Sequence, residues 1–479
     1  MNKSGLITNK GEFQGGYFVL NENRDDSEWI EKTDLFVTLP YINSIKDELI
    51  SLIRNSSFSI KLCSFILTDQ DIYLEIEQIL NNTNVAVFIL TQLDDSKFST
   101  SLLSEEEMTE NFNQIHLDII KKLYSQGAHV RATRTAHAKF IISDRKKALI
   151  TSANVTTPSL TSNPETGIYI SDLQTSKDLD SLFDEIFQNG TEYTKFISAS
   201  SSRQFIISRQ NNISADTIAS LTRSNLRFTY EEYDHSLYNE LIDLMENTKE
   251  DIYLSTYSIV GLEFLPEFVR TVKKKIEQGL SVHVFSRGMN YRADHLASCT
   301  QLAKLGCKIY GDIYNHSKGI ITTERSMIFT ANIDGNHGLK NGFEVGAIMN
   351  EAQAEHMATF VKWQIKTAPY VFALSPSKKS YFSYYSFYCR EKEINHKKTP
   401  DNIIVKLKAH NRELASLIDE TPCYLKFKNQ KIIQLQIGRN TYQANLEENI
   451  LIIGERISYR DYNLESYLLC YDTIKIIFE

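Results

Sequence analysis

The chain lacks any apolar run approaching the ~20 residues that a bilayer-spanning helix requires, so no integral membrane segment is expected. Its start, MNKSGLITNKGEF, carries no apolar core of the kind a secretory signal needs. Cysteine is sparse and scattered: Cys63, Cys299, Cys307, Cys389, Cys423 and Cys470 include no CxxC pair. That pattern argues against a zinc site and a disulfide framework, and for a reducing cytoplasm. An excess of positive charge is also missing. With 52 Lys and Arg against 60 Asp and Glu, the net charge is −8. No global basic field advertises a polyanionic partner, so nucleic acid or a lipid headgroup must be met by a local patch.

What is present is an ordinary globular composition with a long internal repeat. Of 479 residues, 42% are hydrophobic and 23% charged, enough for two or three domains with their own cores. From Ser44, SIKDELISLIRNSSFSIKLCSFIL reads as an amphipathic helix, a turn and a buried strand. From Ser236, SLYNELIDLMENTKEDIYLSTYSIV repeats that order, with Glu48-Leu49-Ile50 falling against Glu240-Leu241-Ile242. The period is far longer than that of solenoid repeats and implies two homologous lobes.

In the first lobe the strand NVAVFILTQ precedes an acidic insert at 94–112, read as a solvated loop, with a lid over the site as the competing reading. The helix NQIHLDIIKKLYSQG and the strand HVRATR follow. The second lobe runs through helix FLPEFVRTVKKKIEQG, strand SVHVFSRG, helix DHLASCTQLAKLG and strand CKIYGD. Such alternation predicts an α/β fold: two pseudo-symmetric lobes, each a mixed β-sheet flanked by helices. The expected boundaries are 1–200 and 213–370, joined by a Ser- and Gln-rich linker around 198–212. Residues 371–479, with short alternating runs such as YLKFK and KIIQLQIG, are expected to form a small C-terminal β-rich accessory domain. In the leader, GGYFVL is expected to add a strand.

Each lobe ends in the same constellation. The first holds His137, Lys139, Asp144, Ser152, Asn154 and Glu165; the second holds His316, Lys318, Thr330, Asn332 and Glu344. The Asn follows its Lys by 15 and 14 positions, and the Glu follows by 26 in both copies. A lone HxK means nothing, because a single strand His is usually a satisfied core or surface residue. Two full sets in register are hard to produce by chance. His and Lys two apart at the start of a β-type run are expected to leave one face of one strand.

These residues resemble the phospholipase D superfamily, whose members carry two HxKxxxxD motifs, each followed by a small residue, an Asn and a Glu. The resemblance spans roughly residues 40–370. The second copy departs from the pattern at Thr323, where the family has Asp, with Glu324 beside it. Tyrosyl-DNA phosphodiesterases of the same superfamily lack both Asp residues and remain active. The resemblance implies a metal-independent phosphodiesterase without cofactors. One His attacks phosphorus to form a phosphohistidine, and the other protonates the leaving oxygen. Lys139, Lys318, Asn154 and Asn332 would bind the non-bridging oxygens, and Glu165 and Glu344 would each fix the tautomer of a His. Asp144, Ser152 and Thr330 would support the site. The family's usual order makes His137 the nucleophile and His316 the acid. Both motifs lie in one chain, so the site requires no oligomer.

Three functions compete: a nuclease acting on DNA or RNA, a phospholipase D or phosphatidyltransferase acting on phospholipids, and an inactive binding scaffold. A lipid enzyme should show a membrane anchor or a basic interfacial helix. Lys273, Lys274 and Lys275 are read instead as a solvated face. The aromatic and basic stretch Lys378–Arg390 would suit unpaired bases, although strand-core packing is the simpler account. The nuclease is therefore the expected function. Asp334 and His337 in ANIDGNHG read as a polar turn rather than a metal pair, and Arg287, after the strand SVHVF, reads as a surface residue in preference to one that reaches substrate phosphate.

Overall fold

The computed structural model describes residues 15–93, 112–197, 205–208, 211–290, 292–323, 325–376, 390–396, 404–409, 423–428, 431–447, 450–456 and 468–471. The acidic insert, the core of the linker, most of Lys378–Arg390 and Glu324 lie outside these residues. The chain divides into two compact units: residues 23–288 with 301–369, and residues 1–22 with 289–300 and 370–479.

The larger unit holds both repeats. The first lobe is a ten-stranded sheet. Its order is Phe205–Ser208, Tyr193–Ile197, His129–Thr133, Ala86–Gln92, Ser59–Cys63, Phe140–Ser143, Lys147–Thr151, Glu165–Ile170, Phe36–Leu39 and Ile42–Asn43. The strands Ser59–Cys63, Ala86–Gln92 and His129–Thr133 run parallel, linked through the helices Gln70–Asn82 and Phe112–Ser125. Phe140–Ser143, Lys147–Thr151 and Glu165–Ile170 continue the sheet antiparallel. The second lobe repeats this plan. Its strands run Lys308–Gly311, Val282–Ser286, Ile252–Ser255, Gly319–Ile321, Ser326–Phe329, Phe343–Ile348, Leu226–Tyr230 and Asp234–His235.

Small polar residues start the equivalent elements. Ser44 Oγ donates to Val37 O and accepts from Val37 N. Ser236 does the same with Phe228. The repeat read from these two serines is therefore a repeat of local hydrogen bonding. Asp69 and Asp172 cap the helices Gln70–Asn82 and Leu173–Asn189, and Asn350 with Gln353 forms a capping box on Glu351–Thr367.

The lobes share one apolar core. Phe140 meets Phe183 of its own lobe and Phe343 of the other, with ring centroids 6.1 and 6.3 Å apart. Tyr230, Val345 and Met357 belong to the same buried cluster. Rings held edge-to-face in a close-packed interior leave little play, so strands carrying the two motifs are fixed against each other.

In the smaller unit, GGYFVL does supply a strand. Gly16–Leu20 pairs antiparallel with Tyr370–Leu374, and Asn290 both donates to Phe18 O and accepts from Phe18 N, each at 2.8 Å. The C-terminal segments form a closed barrel of seven strands: Arg390–His396, Ile404–Ala409, Leu468–Tyr471, Ile450–Arg456, Asn440–Glu447, Lys431–Ile437 and Cys423–Lys428. Closure is made by a parallel pairing of Arg390–His396 with Cys423–Lys428.

Candidate active site

His137 and His316 lie in extended lead-ins just before the strands Phe140–Ser143 and Gly319–Ile321, rather than within a hydrogen-bonded strand. Each lead-in is bonded across to the other lobe. His137 N donates to Phe343 O at 3.0 Å, and Phe343 N donates to Thr135 O at 2.9 Å. His316 N donates to Pro164 O at 2.9 Å. Phe343 and Pro164 are the residues immediately before Glu344 and Glu165, so these backbone bonds set the carboxylates opposite the rings.

The pairing that results is crossed. His137 Nδ1 is hydrogen-bonded to Glu344, and His316 Nδ1 to Glu165 at 2.7 Å. Each imidazole is thus held by the carboxylate of the other lobe. Ser152 and Thr330 fill a further acceptor position: Ser152 Oγ donates to Glu165, and Thr330 Oγ1 to Glu344, both at 2.5 Å. A Glu accepting both Nδ1–H and a hydroxyl fixes the tautomer, leaving Nε2 to face substrate.

The remaining motif residues converge here. Lys139 Nζ donates to His137 O, and Lys318 Nζ to His316 O at 2.9 Å. Both ammonium groups are buried. Asn154 and Asn332 are also buried, on loops fixed in the same way: Val155 N donates to Ser64 Oγ, and Ile333 N to Thr256 Oγ1, both at 3.1 Å.

Phe65, Tyr257 and Gln92 escaped the sequence. Phe65 stands edge-on to His137 and Tyr257 to His316, each with centroids 5.2 Å apart. Gln92 and Arg287 occupy matching places, since Gln92 N bonds to Phe65 O and Arg287 N to Tyr257 O. Arg287 was expected at the surface. It is instead fully buried, its guanidinium 5.2 Å from the centroid of the Tyr257 ring. An Arg just after a strand reads as exposed, but the stacking position that Tyr257 offers is invisible in the sequence.

The two His–Glu pairs differ electrostatically. Burial, reinforced by Lys139 and Lys318 against the pull of Glu344, lowers the His137 imidazolium to about 4. Burial would raise Glu344, but His137, Lys139 and Thr330 outweigh it and hold the carboxyl below its ordinary range. Burial raises Glu165 to about 7 despite Lys318, Ser152 and Ser159.

Asp144 lies apart from this cluster. Its carboxylate accepts from the backbone N–H groups of Ser57, Phe58 and Ser59 and from Ser57 Oγ, and its own φ is +53°. It closes the turn between the helix Ser44–Arg54 and the strand Ser59–Cys63, so the support of the site expected of Asp144 is corrected to a turn-closing role. A short carboxylate that tolerates the left-handed region suits that turn. In the second lobe Thr323 is exposed, and its Oγ1 is 3.5 Å from Thr248 Oγ1, which itself accepts from Glu250 N. Asp334 and His337 form the expected polar turn: Asp334 Oδ1 accepts from Asn336 N and His337 N at 2.8 and 3.1 Å.

Residues 49–187 match the family model described as "Cardiolipin synthase, PLD-like domain". No curated protein sequence matches the chain. Among solved structures it is similar to a phosphatidylserine synthase from Haemophilus influenzae, at 13% identity and a TM-score of 0.48, covering 73% of this chain and 88% of that one. It is similar to a polyphosphate kinase from Porphyromonas gingivalis at 13% identity and TM-score 0.45, covering 68% of this chain and 46% of that one. It is also similar to Nuc, a phospholipase D family member from Salmonella typhimurium, at 18% identity and TM-score 0.27, covering 36% and 97%.

Proposed function

As a chain of the phospholipase D superfamily with two histidine–lysine motifs in one unit, the protein is, we propose, a metal-independent phosphodiesterase that cleaves nucleic acid through a phosphohistidine. The observation that carries this is the crossed pairing of His137 with Glu344 and His316 with Glu165. It puts two oriented imidazoles in one site, as in-line displacement at phosphorus requires.

The electrostatics of the two pairs support His137 as nucleophile and His316 as acid. His137 stays neutral down to about pH 4, and its Nδ1–H is committed to an ionised Glu344, so its Nε2 lone pair is available as nucleophile. With Glu165 raised to about 7, the carboxyl beside His316 Nδ1 still holds a proton in part near neutrality. That proton is what a departing alkoxide needs. His137 Nε2 attacks phosphorus while the bond to the leaving oxygen breaks, and that oxygen takes its proton from His316. His316 then removes a proton from water, the hydroxide attacks phosphorus, and the bond to His137 breaks. Lys139, Lys318, Asn154 and Asn332 neutralise the equatorial oxygens in the place often taken by a divalent cation.

Nucleic acid is favoured by the helix Pro266–Glu277. Of its three lysines, expected to form one solvated face, Lys273 and Lys274 are exposed and Lys275 is not, which shrinks any lipid-facing patch. Lys275 is buried and donates to Glu246 O and Thr248 O, while Lys273 and Lys274 lie within 4 Å of Glu277 and Glu246. The family model's cardiolipin synthase description supports a second reading, a phosphatidyltransferase in which an alcohol replaces the water. Among the described residues no helix is long and apolar enough to cross a membrane. Plasmid, single-stranded DNA, RNA and phospholipid vesicles incubated side by side in EDTA test the choice. Cleavage of a nucleic acid with untouched vesicles is expected; the converse establishes the lipid enzyme, and rescue only by Mg²⁺ contradicts both.

A further inference from the structure

The repeat breaks between the Asn and the Glu of each motif. In the first lobe Thr156 caps a short helix, Thr157–Thr161, that packs Ser159 and Leu160 inward. In the second lobe the matching stretch is a glycine-bearing loop. A Cβ at Gly335 would fall 2.2 Å from Gly261 O, and Gly338 has a φ of +68°. Glycine is thus required for this path, which leaves a cavity of about 180 Å³ beside His137.

We infer that this cavity is a subsite for the part of a nucleic acid that stays bonded to phosphorus while His137 is phosphorylated, and that it takes a neighbouring sugar and phosphate. The inference rests on the phosphodiesterase assignment and adds the orientation of the strand. In-line attack sends the leaving group away from His137, toward His316. The cavity is lined by His137 and Glu344 but not by His316, so it adjoins the retained ester.

Its chemistry suits a polar, anionic occupant. Arg134 and His337, both exposed, stand in its wall with Asn341 and Asn332. A guanidinium offers a two-pronged site for phosphate oxygens. The carboxylates nearby accept hydrogen bonds from the protein: Glu344 from His137 and Thr330, Asp334 from the N–H groups of Asn336 and His337, Glu231 from Thr135 Oγ1 and Glu192 from Arg134 N. Asn332 is more than nine-tenths buried, and its side-chain oxygen has no hydrogen-bond partner among the described residues. A buried amide oxygen left in that state is costly, and the hydroxyl of a bound sugar answers it by donating. Two acyl chains would not find the room in a cavity of about 180 Å³.

The test compares a short DNA oligonucleotide with bis(p-nitrophenyl) phosphate, which has one phosphate and no sugar, in the full chain and in its Arg134→Ala and His337→Ala variants. Both side chains are exposed, so both variants should fold. Loss of one charge-assisted contact is expected to raise KM for the oligonucleotide about tenfold more than KM for the small ester. Equal effects on the two substrates overturn the subsite. A larger penalty on a short-chain phosphatidylcholine than on the oligonucleotide overturns it in favour of a lipid backbone. If the unaltered protein cleaves neither phosphodiester, the phosphodiesterase assignment itself fails.

Discussion

At the scale of single residues, the site is two imidazoles each oriented by a carboxylate from the other lobe. The members were legible because the motif spells them out twice in matched spacing. The crossing was not legible, since equal spacing allows each Glu to serve either His. Only the backbone bonds to Phe343 and Pro164 decide it. The burial that tunes these groups has a measurable cost. Glu165 has a folded pKa of about 7 against an ordinary 4.5, so the unfolded chain releases this proton first as pH rises. Stability from this group is fully present below about pH 4.5 and is lost as pH climbs through 7, a swing of roughly 3 kcal/mol at most. His137 works in the opposite sense, its lowered pKa removing stability as pH falls below 6.5 toward 4. A Glu165→Gln variant keeps the second effect and removes the first. Its melting temperature, relative to the unaltered protein, should therefore rise between pH 5 and pH 8, while turnover falls. Parallel melting curves across that range would contradict a raised Glu165.

At the scale of elements, the lobes were readable because helices and strands repeat with their starting residues. Ser44 and Ser236 make the same pair of backbone bonds. What differed is where one copy replaced an element's closing device. Asp144 satisfies three N–H groups of one turn, whereas the turn in the second lobe uses Thr248 and leaves Thr323 exposed. Burial works against the Asp144 carboxylate, but the N–H groups of Ser59, Ser57 and Phe58 hold it below the usual carboxylate range. Asp144→Ala should cost about 1–3 kcal/mol by leaving those donors without their acceptor. Thr323→Ala should cost under about 0.5 kcal/mol, as surface changes usually do. Neither variant should alter kcat once folded. Thermal melts with steady-state rates check this, and equal losses at the two positions would show the turns to be equivalent. The loss at Asp144 should shrink as pH falls through its depressed pKa, where the carboxylate is protonated in both states.

At the scale of the whole molecule, two lobes sharing the Phe140–Phe343 core make one site from two half-sets. The pairing that the sequence did not disclose joins residues far apart in the chain: Gly16–Leu20 with Tyr370–Leu374. Local alternation identifies a strand, but carries no information about a partner hundreds of residues away. The central claim is that His137 attacks and His316 donates, across one phosphorus. It is tested most directly with the His316→Ala protein and bis(p-nitrophenyl) phosphate, whose leaving group needs no acid. After an alkaline quench that preserves phosphohistidine, peptide mapping should find a phosphoryl adduct on His137, accumulating because its hydrolysis lacks a base. An adduct on any other residue, or a phosphohistidine that still forms in a His137→Ala protein, would contradict the assignment.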